Sequence, residues 1–435
     1  TTLFRSTGIF VATGQGAQMA GPGIIISFIV AAITCGFCAL TYSELATMFP
    51  VAGSTYSYCY AAFGEIIAWI IGWDLMLEYL VVAGAIASGW SGTFVGLLHT
   101  AGINLPTAFV STRIADPHGI MDLPAILITL FVTCVLYIGI KESTKMNNAI
   151  VLFKIAVIIL FVVLGIGHVN FANLQPLLPF GWHGVMGGAA IIFFAYIGFD
   201  AVSTAAEETI DPKRDVPKGI VVCLITVIIL YILVAFVLTG MVPYKQISVN
   251  NALPAALASI GINWGSALVA VGAIVGMIST LLVTVYGQIR IFMVMSRDGL
   301  LPPAFSKIHP VHKTPYICTW ITGLLTAAIG GFVPLPMIID LCNIGTLFAF
   351  VLVSIGVIVL RKTMPNIDRP FKCPGVPFTP VLTVVFCVYL MSALPIVTWI
   401  RFVVWLILGG LLYFSYGAKH SALNKIKAKD ANLTI

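Results

Sequence analysis

Long apolar stretches alternate with short polar segments along almost the whole chain. A helix needs about 20 apolar residues to cross the ~30 Å hydrocarbon core of a bilayer, whereas the strands of a membrane barrel show a shorter, alternating pattern. The pattern therefore predicts a polytopic, all-α membrane protein. The stretches that qualify as spans are 24–48, 66–98, 123–140, 147–168, 184–206, 219–241, 264–294, 316–333, 338–360, 378–396 and 401–417.

A further apolar segment, 6–20, precedes Gly21-Pro22-Gly23 and is too short to cross a bilayer alone. It makes about 22 Å of helix at ~1.5 Å per residue. We therefore predict a single membrane domain over 1–418 with 12 spans, the first incomplete, and a polar tail over 419–435. Either a half-helix belongs before residue 6, or the protein is short and has altered or lost activity.

The composition supports a membrane protein and argues against other classes. Of the 435 residues, 60% are hydrophobic and 9% are charged, while soluble domains carry roughly 25% charged residues. The nine cysteines include no CxxC pair, so we expect packing thiols rather than disulfides. The seven histidines lack metal-ligand spacing, and no nucleophile–base pair is apparent. We therefore expect no metal, no cofactor and no enzymatic activity.

The net charge of +6 is distributed unevenly between two sets of loops. One set contains sixteen Lys and Arg residues, and the other contains Arg113, Lys245 and Arg401. Because cytoplasmic loops are enriched in Lys and Arg, we expect the first set and the C-terminus to be cytoplasmic. The surplus charge then reflects topology, and no nucleic acid partner is expected. The basic segments are 141–146, 207–218, 297–313, 361–372 and 419–429.

Lys154 is a basic residue inside a predicted span, where charge is costly and indicates function. It lies about 12 Å along the helix from Met146. It is either paired with a carbonyl at a helix kink or a titrating lysine, because burial disfavours the charged form of an amine. A buried amine that gains and loses a proton can drive a transport cycle.

Four acidic residues also lie within or beside predicted spans. Asp74 and Glu78 share one helix face through their i, i+4 spacing, and two carboxylates there would repel unless one is protonated or faces a cation. We expect Asp74 to cap or hydrogen-bond a neighbouring helix, and Glu78 to bind a ligand or a proton. Asp200 follows Gly198, which interrupts a span, and suits capping of the next half-helix or proton handling. Glu44, near the end of its span, is interpreted as structural.

Two apolar segments, 6–10 and 195–203, are interrupted by glycine and lie five spans apart. With an odd offset, the two segments cross the membrane in opposite senses, as an inverted repeat of five plus five spans would require. Interrupted helices in corresponding positions of two halves indicate the central site of a transporter.

The two breaks offer opposite backbone groups. At the first break, the N–H groups of Thr7, Gly8 and Ile9 open a half-helix and suit a carboxylate. At the second break, a half-helix ends near Ile197 with free carbonyl groups that suit an ammonium. Together they predict a site for the backbone of an amino acid; the alternative is a pair of kinks that only ease packing. The spacing of Gly272 and Gly276 is interpreted as helix packing.

Six motifs carry a family resemblance: TGIF (7–10), YSELATMFPVAGSTYSYCYAAFGE (42–65), GWDLMLEY (72–79), FFAYIGFDAVSTAAEE (193–208), DPKRDVPKGI (211–220) and SRDGLLPPAFSKIHPVHKTP (296–315). In this order they resemble the amino acid–polyamine–organocation transporter superfamily, specifically its cationic amino acid transporter branch. The resemblance covers about 7–418. It implies an inverted-repeat core, with repeats over 1–168 and 184–360, followed by two further helices over 378–417.

The resemblance also implies roles for the residues at the two breaks. The first break, Ser6 to Ile9, would bind the substrate carboxylate. The carbonyls of Phe194, Ala195 and Ile197 would hold the amino group, and Phe194 would be an aromatic gate over the site. The family has an apolar half-helix and a glycine where Thr1–Arg5 and Ser6 stand. The resemblance gives Arg5 no role.

The resemblance assigns three charged positions as well. Lys154 is similar to the fifth-helix lysine of proton-coupled members, which stands where sodium binds in sodium-coupled relatives. Glu78 is similar to a third-helix acidic residue associated with cationic side chains. Asp200 matches the acidic position after the break in the sixth helix, beside Gly198.

The expected function is import of amino acids across the cell membrane by proton-coupled alternating access, and a bacterial inner membrane is compatible with the sequence. Glu78 favours arginine, lysine or ornithine, and small neutral amino acids are possible. The proton gradient would be the driving force, and sodium is not expected. The alternatives are an exchanger, a sensor that binds without transport and, least favoured, an intramembrane enzyme. The expected partners are the amino acid and the lipid bilayer.

Overall fold

The computed structural model describes residues 7–49, 54–139, 144–198 and 211–421. In these ranges the regular structure is helical. The described residues form no β-strand and contain two isolated β-bridges. The predicted all-α class is confirmed. The helices are α1 (Gly8–Ala20), α2 (Ile24–Met48), α3 (Ser54–Phe63), α4 (Glu65–Thr100), α5 (Leu123–Ile138), α6 (Thr144–Ile166), α7 (Gly181–Tyr196), α8 (Pro212–Met241), α9 (Ala252–Ser259), α10 (Asn263–Arg297), α11 (Tyr316–Phe332), α12 (Leu335–Thr363), α13 (Phe378–Ser392) and α14 (Ile396–Leu412).

Seven helical stretches of the described chain are long and apolar enough to cross a membrane. They are Gly8–Met48, Glu65–Thr100, Asn148–Ile166, Arg214–Met241, Asn263–Arg297, Leu335–Thr363 and Ile396–His420. Shorter apolar helices, α5, α11 and α13, coincide with three further predicted spans. A Gly21–Gly23 3₁₀ turn joins α1 to α2 where the sequence predicted the end of a short first segment.

Several predicted span boundaries differ from the structure by a few residues, and two of the differences concern the arrangement of the chain near the site. The helix predicted over 219–241 begins at Pro212, because proline fits the first turn of a helix, where its missing N–H is not needed. Its charged first turn is helical without being apolar, so hydropathy marked only the apolar part. The span predicted over 184–206 overlaps α7, which begins at Gly181 and ends at Tyr196, and the part of the span from 199 lies outside the described residues.

Glu44 forms ion pairs with Arg361 and Arg369 at one end of the molecule, which we call the Glu44 end. Glu44 is fully buried, and its carboxylate accepts from Arg361 Nη2 at 2.7 Å and from the Cys373 N–H at 2.7 Å. Arg369 Nε lies 3.5 Å from Glu44 Oε1. These ion pairs join the end of α2 to the end of α12 and to the loop that follows. The structural interpretation of Glu44 is confirmed.

Small residues and thiols fill the helix interfaces. A Cβ added at Gly272 of α10 would lie 2.4 Å from a methyl of Val157 on α6, so this glycine permits close packing, as predicted. All nine cysteines are free thiols, and seven of them are buried. Cys38 and Cys387 place their sulfur atoms 3.6 Å apart between α2 and α13 without a disulfide. The seven buried cysteines therefore act as packing residues, as predicted.

Candidate functional site

The break in α7 lies where the sequence predicted it. The helix ends at Tyr196, Ile197 takes an extended conformation with φ −60° and ψ 135°, and Gly198 has φ +118°. That φ is open to glycine and strained for residues with a Cβ. The Ile197 N–H donates to the Phe194 carbonyl at 3.3 Å, so α7 closes with an i to i+3 turn at this break.

The first turn of α1 packs directly against this broken end. A Cβ added at Gly8 would lie 2.5 Å from Ala195 Cα and 3.0 Å from the Phe194 carbonyl oxygen. The contact is backbone against backbone, and glycine at position 8 is what permits it. It brings the N-terminal end of α1, which carries the positive end of its helix dipole, beside the C-terminal end of α7, which carries the negative end.

Lys154 joins three helices beside this junction. Its Nζ donates to Thr280 Oγ1 on α10 at 2.8 Å and to Thr7 Oγ1 at 3.4 Å, and the two threonine oxygens are 2.6 Å apart. Lys154 and Thr7 are 3% and 2% exposed. A Cβ at Gly276 would lie 2.6 Å from Lys154 Cε, so this second glycine of the α10 pair makes room for the lysine.

Thr280 was missed by reasoning from the sequence. A hydroxyl inside an apolar helix usually bonds its own backbone, as Thr280 does with the Gly276 carbonyl at 2.9 Å. The spacing of Gly276 and Thr280 on one face of α10 is the only local signal, and it carries no information about Lys154, which lies 126 positions earlier.

A second contact missed by the sequence analysis joins α12 to α7. Asn343, fully buried, donates from Nδ2 to the carbonyls of Ala190 at 2.7 Å and Ile191 at 3.3 Å. These carbonyls lie about one turn before Ala195. Asn343 therefore ties α12 to the same half-helix whose end meets Gly8.

The environment of the Asp74 side chain differs from the one that the sequence predicted. It is fully buried on α4, and neither carboxylate oxygen has a hydrogen-bond partner among the described residues. The prediction that Asp74 caps or hydrogen-bonds a neighbouring helix is therefore wrong. Its neighbour is Gly345 of α12, where a Cβ would lie 2.8 Å from Asp74 Oδ1, so the close approach of two helices has left no donor at the carboxylate.

Glu78 lies one turn from Asp74 and is 4% exposed. The adjacent Tyr79 packs on Gly287 of α10, where a Cβ would lie 2.6 Å from Tyr79 Cε1. Gly287 is seven residues, or roughly 10 Å of helix, from Thr280. Glu78 is thus offset along the helix axis from Lys154, toward the Glu44 end. Its predicted role as a ligand stays a prediction.

The remaining predicted residues divide into two groups. Thr7, Gly8, Ile9, Phe194 and Ala195 are buried at the α1–α7 junction, and Ile197 and Gly198 form the break beside it. Ser6, Asp200 and Arg5 lie outside the described residues.

Comparison with known proteins now adds the family. A model of the family "Amino acid permease" matches residues 1–414, which is nearly the whole chain. The chain belongs to the amino acid permease family. The predicted superfamily membership is confirmed, and this family consists of transporters rather than enzymes.

The permease is similar to several proteins along most of its length. It is 49% identical to "Branched-chain amino acid permease BcaP" and 46% identical to "Methylthioribose transporter", both from Bacillus subtilis (strain 168), each over 96% of this chain and 91% of the relative. It is 29% identical to "Cationic amino acid transporter 4, vacuolar" from Arabidopsis thaliana, over 96% of this chain and 90% of the relative. The family and its apolar helices make it a multi-pass membrane protein.

The permease has a cavity of about 660 Å³ at the end opposite to Glu44. It is lined by residues of α4, α9, α10 and the loop before α9, including Gly92, Gly96, His99 and Asn251. No residue of α1 or α7 lines it. The same loop also touches α1, because a Cβ at Gly14 would lie 2.2 Å from the Ser248 carbonyl oxygen. The cavity is therefore separate from the α1–α7 junction.

Proposed function

We propose that this permease is a proton-coupled carrier of amino acids that works by alternating access. The observation that carries the proposal is the close packing of the Gly8 backbone on the Ala195 backbone. A Cβ added at Gly8 would lie 2.5 Å from Ala195 Cα. This packing sets the positive end of one half-helix beside the negative end of another, and an amino acid is a small molecule with a carboxylate and an ammonium.

In this proposal the carboxylate binds the N–H groups at Thr7, Gly8 and Ile9, and Ser6 contributes from the preceding position. The carbonyls of Phe194, Ala195 and Ile197 hold the ammonium, with Phe194 as the gate. Gly198 gives the break its conformation. Asp200 caps the following half-helix or takes part in proton transfer.

We propose Lys154 as the coupling residue. A charged ammonium donates three hydrogen bonds and a neutral amine donates at most two. Protonation therefore changes how firmly Thr7 of α1 is held to Thr280 of α10, both of which Lys154 contacts. A change at Thr7 acts on the first turn of α1, which is the turn that would bind the carboxylate.

Two substrate classes have separate support. The 49% identity to a branched-chain amino acid permease supports aliphatic amino acids, which we propose as the principal substrates. Buried Glu78 supports arginine, lysine or ornithine as the second candidate, because a carboxylate inside a membrane span can pair with a cationic side chain and leucine offers none.

The topology and organisation proposed for the permease follow from its charge distribution and its two breaks. The loops rich in Lys and Arg and the C-terminus face the cytoplasm, and the membrane is a bacterial inner membrane. The two broken helices belong to inverted repeats, with α13 and α14 as additional helices.

Uptake into proteoliposomes tests the proposed function. We expect accumulation of labelled leucine under an imposed proton gradient, and its loss in Lys154→Ala. Lys245→Ala, which removes an exposed lysine, is the matched control and should behave as the wild type. Arginine and methylthioribose, tested as competitors, distinguish the substrate classes.

Three outcomes would change the proposal. Uptake that ignores the gradient and survives Lys154→Ala would refute proton coupling. Counterflow of amino acid without a gradient, together with no net uptake, would indicate an exchanger. Saturable binding without any flux would indicate a sensor.

A further inference from the structure

Asp74 is a buried carboxylate without a hydrogen-bond donor. Its exposure is 0%, and both carboxylate oxygens lack a partner within the described chain. The great majority of buried polar side chains have a partner, so a group with none requires an explanation. The opposing backbone at Gly345 lies too close for any side chain that could donate, since even a Cβ there would be 2.8 Å from Oδ1.

An ionised carboxylate could not persist in this environment. Transfer of an unpaired charge from water into an apolar interior is so unfavourable that such groups become neutral instead. A buried carboxyl group without a donor is therefore favoured as the neutral acid. The neutral acid is tolerated where the charged form is not, because it needs far less solvation.

The charges around Asp74 reinforce the neutral form. Glu78 lies one turn along α4, and two carboxylates this close repel each other, so at least one of them is favoured as the neutral acid. Three charged residues of the helices packed against α4 have other partners. Asp340 of α12 interacts with Arg401 of α14, Arg361 of α12 pairs with Glu44, and Arg290 of α10 lies over the ring of Tyr286. Arg297 and Lys362 lie in the last turns of α10 and α12.

The contact at Asp74 is connected to the α1–α7 junction through α12. Asn343, which holds the Ala190 carbonyl of α7, lies only two residues before Gly345. A movement of α7 that carries this part of α12 would therefore also open or close the contact of Gly345 with Asp74. Proton occupancy at Asp74 can thus respond to the state of the substrate half-helix.

We propose that Asp74 is a second proton-binding site of the permease, in the seam between α4 and α12 and separate from Lys154. In the closed seam the carboxyl group keeps its O–H bond. When α12 separates from α4, water enters, the O–H bond breaks, the proton passes to water and the carboxylate accepts hydrogen bonds from water. The use of this proton in transport rests on the proposed function, whereas its binding does not.

Infrared spectroscopy of the protein in lipid bilayers tests the protonation directly. A protonated carboxyl group gives a C=O stretching band that is distinct from carboxylate bands and shifts in D₂O. At neutral pH the difference between the wild type and Asp74→Asn should contain the acid band. Asp340→Asn, which alters an acid on the facing helix, is the matched control. Carboxylate bands in the Asp74→Asn difference would overturn the proposal.

Transport stoichiometry tests the coupling. The proton-to-substrate ratio, measured from reversal potentials, should fall by one in Asp74→Asn, while counterflow stays within about twofold of the wild type. Asparagine keeps the size of the neutral acid, so folding is preserved. An unchanged ratio would overturn the coupling role. If the wild type carries no amino acid at all, the proposed function fails, and the infrared comparison still decides whether Asp74 holds a proton.

Discussion

Replacement of Gly8 by alanine tests the backbone contact on which the candidate site depends. The added Cβ would lie 2.5 Å from Ala195 Cα, 3.0 Å from the Phe194 carbonyl oxygen and 3.2 Å from the Ala195 nitrogen. All three are backbone atoms, so no rotation of a side chain can relieve the contact. Ordinary carbon–carbon contacts begin near ~3.5 Å, and α1 must therefore move about 1 Å from α7.

The cost of this separation sets the expected effect. Overpacking of a close-packed interior costs about 1–3 kcal/mol. If that cost falls on the substrate-binding conformation, affinity decreases about 5- to 150-fold, since about 1.4 kcal/mol corresponds to a factor of ten. The helix conformation itself is not strained by alanine, because Gly8 has no positive φ. The effect would therefore report the contact with α7 alone.

The assay is the concentration dependence of labelled amino acid uptake in proteoliposomes, together with thermal unfolding of the purified protein. Gly36→Ala on α2 is the matched control, because a Cβ there would meet nothing within 4 Å. We expect Gly36→Ala to have the KM of the wild type, and Gly8→Ala to raise the KM by the factor given above. A KM for Gly8→Ala within twofold of the wild type would refute the reasoning.

Three further predictions concern the surroundings of the site. Glu44→Gln should lower stability by about 1.5–3 kcal/mol, because Arg361 loses its charged partner; an unchanged unfolding temperature would contradict this. Burial raises the pKa of Asp122, at the start of α5, to about 6. A raised acid pKa means that the folded state binds the proton more tightly, so the stability of the wild type relative to Asp122→Asn should increase as the pH falls from 7 to 4; equal pH profiles would exclude it. Gly276→Val should displace Lys154 and abolish gradient-driven uptake, and retention of uptake would show that the lysine can rearrange.

Glycines form three of the close helix contacts at the centre of the fold. Gly8, Gly276 and Gly345 each bring a backbone against a functional group, at Ala195, Lys154 and Asp74 respectively. A side chain at any of the three positions would widen an interface that must stay narrow for the contact to form. Helices that slide on glycine contacts can also separate without unlocking interdigitated side chains, which suits a carrier that changes conformation.

The sequence by itself determined the helical spans, the break near Ile197 and the structural nature of Glu44. Hydropathy predicts spans because each helix must cover its own length of bilayer, whatever its neighbours are. The break is predicted because glycine acts on the local backbone. These properties are encoded within a few turns of chain, so they can be deduced without knowing what packs against what.

Only the tertiary structure decided which groups contact the buried charged residues. Lys154 bonds a threonine 126 positions later and another 147 positions earlier, and no local pattern marks either hydroxyl as its partner. The position of Asp74 in its span predicted a hydrogen bond to a neighbouring helix. In the structure its carboxylate instead packs against Gly345 and has no donor among the described residues. The physical reason is the same in both cases. The chemistry of a buried charge depends on the few atoms within hydrogen-bonding reach, and in a helical bundle those atoms come from distant parts of the chain.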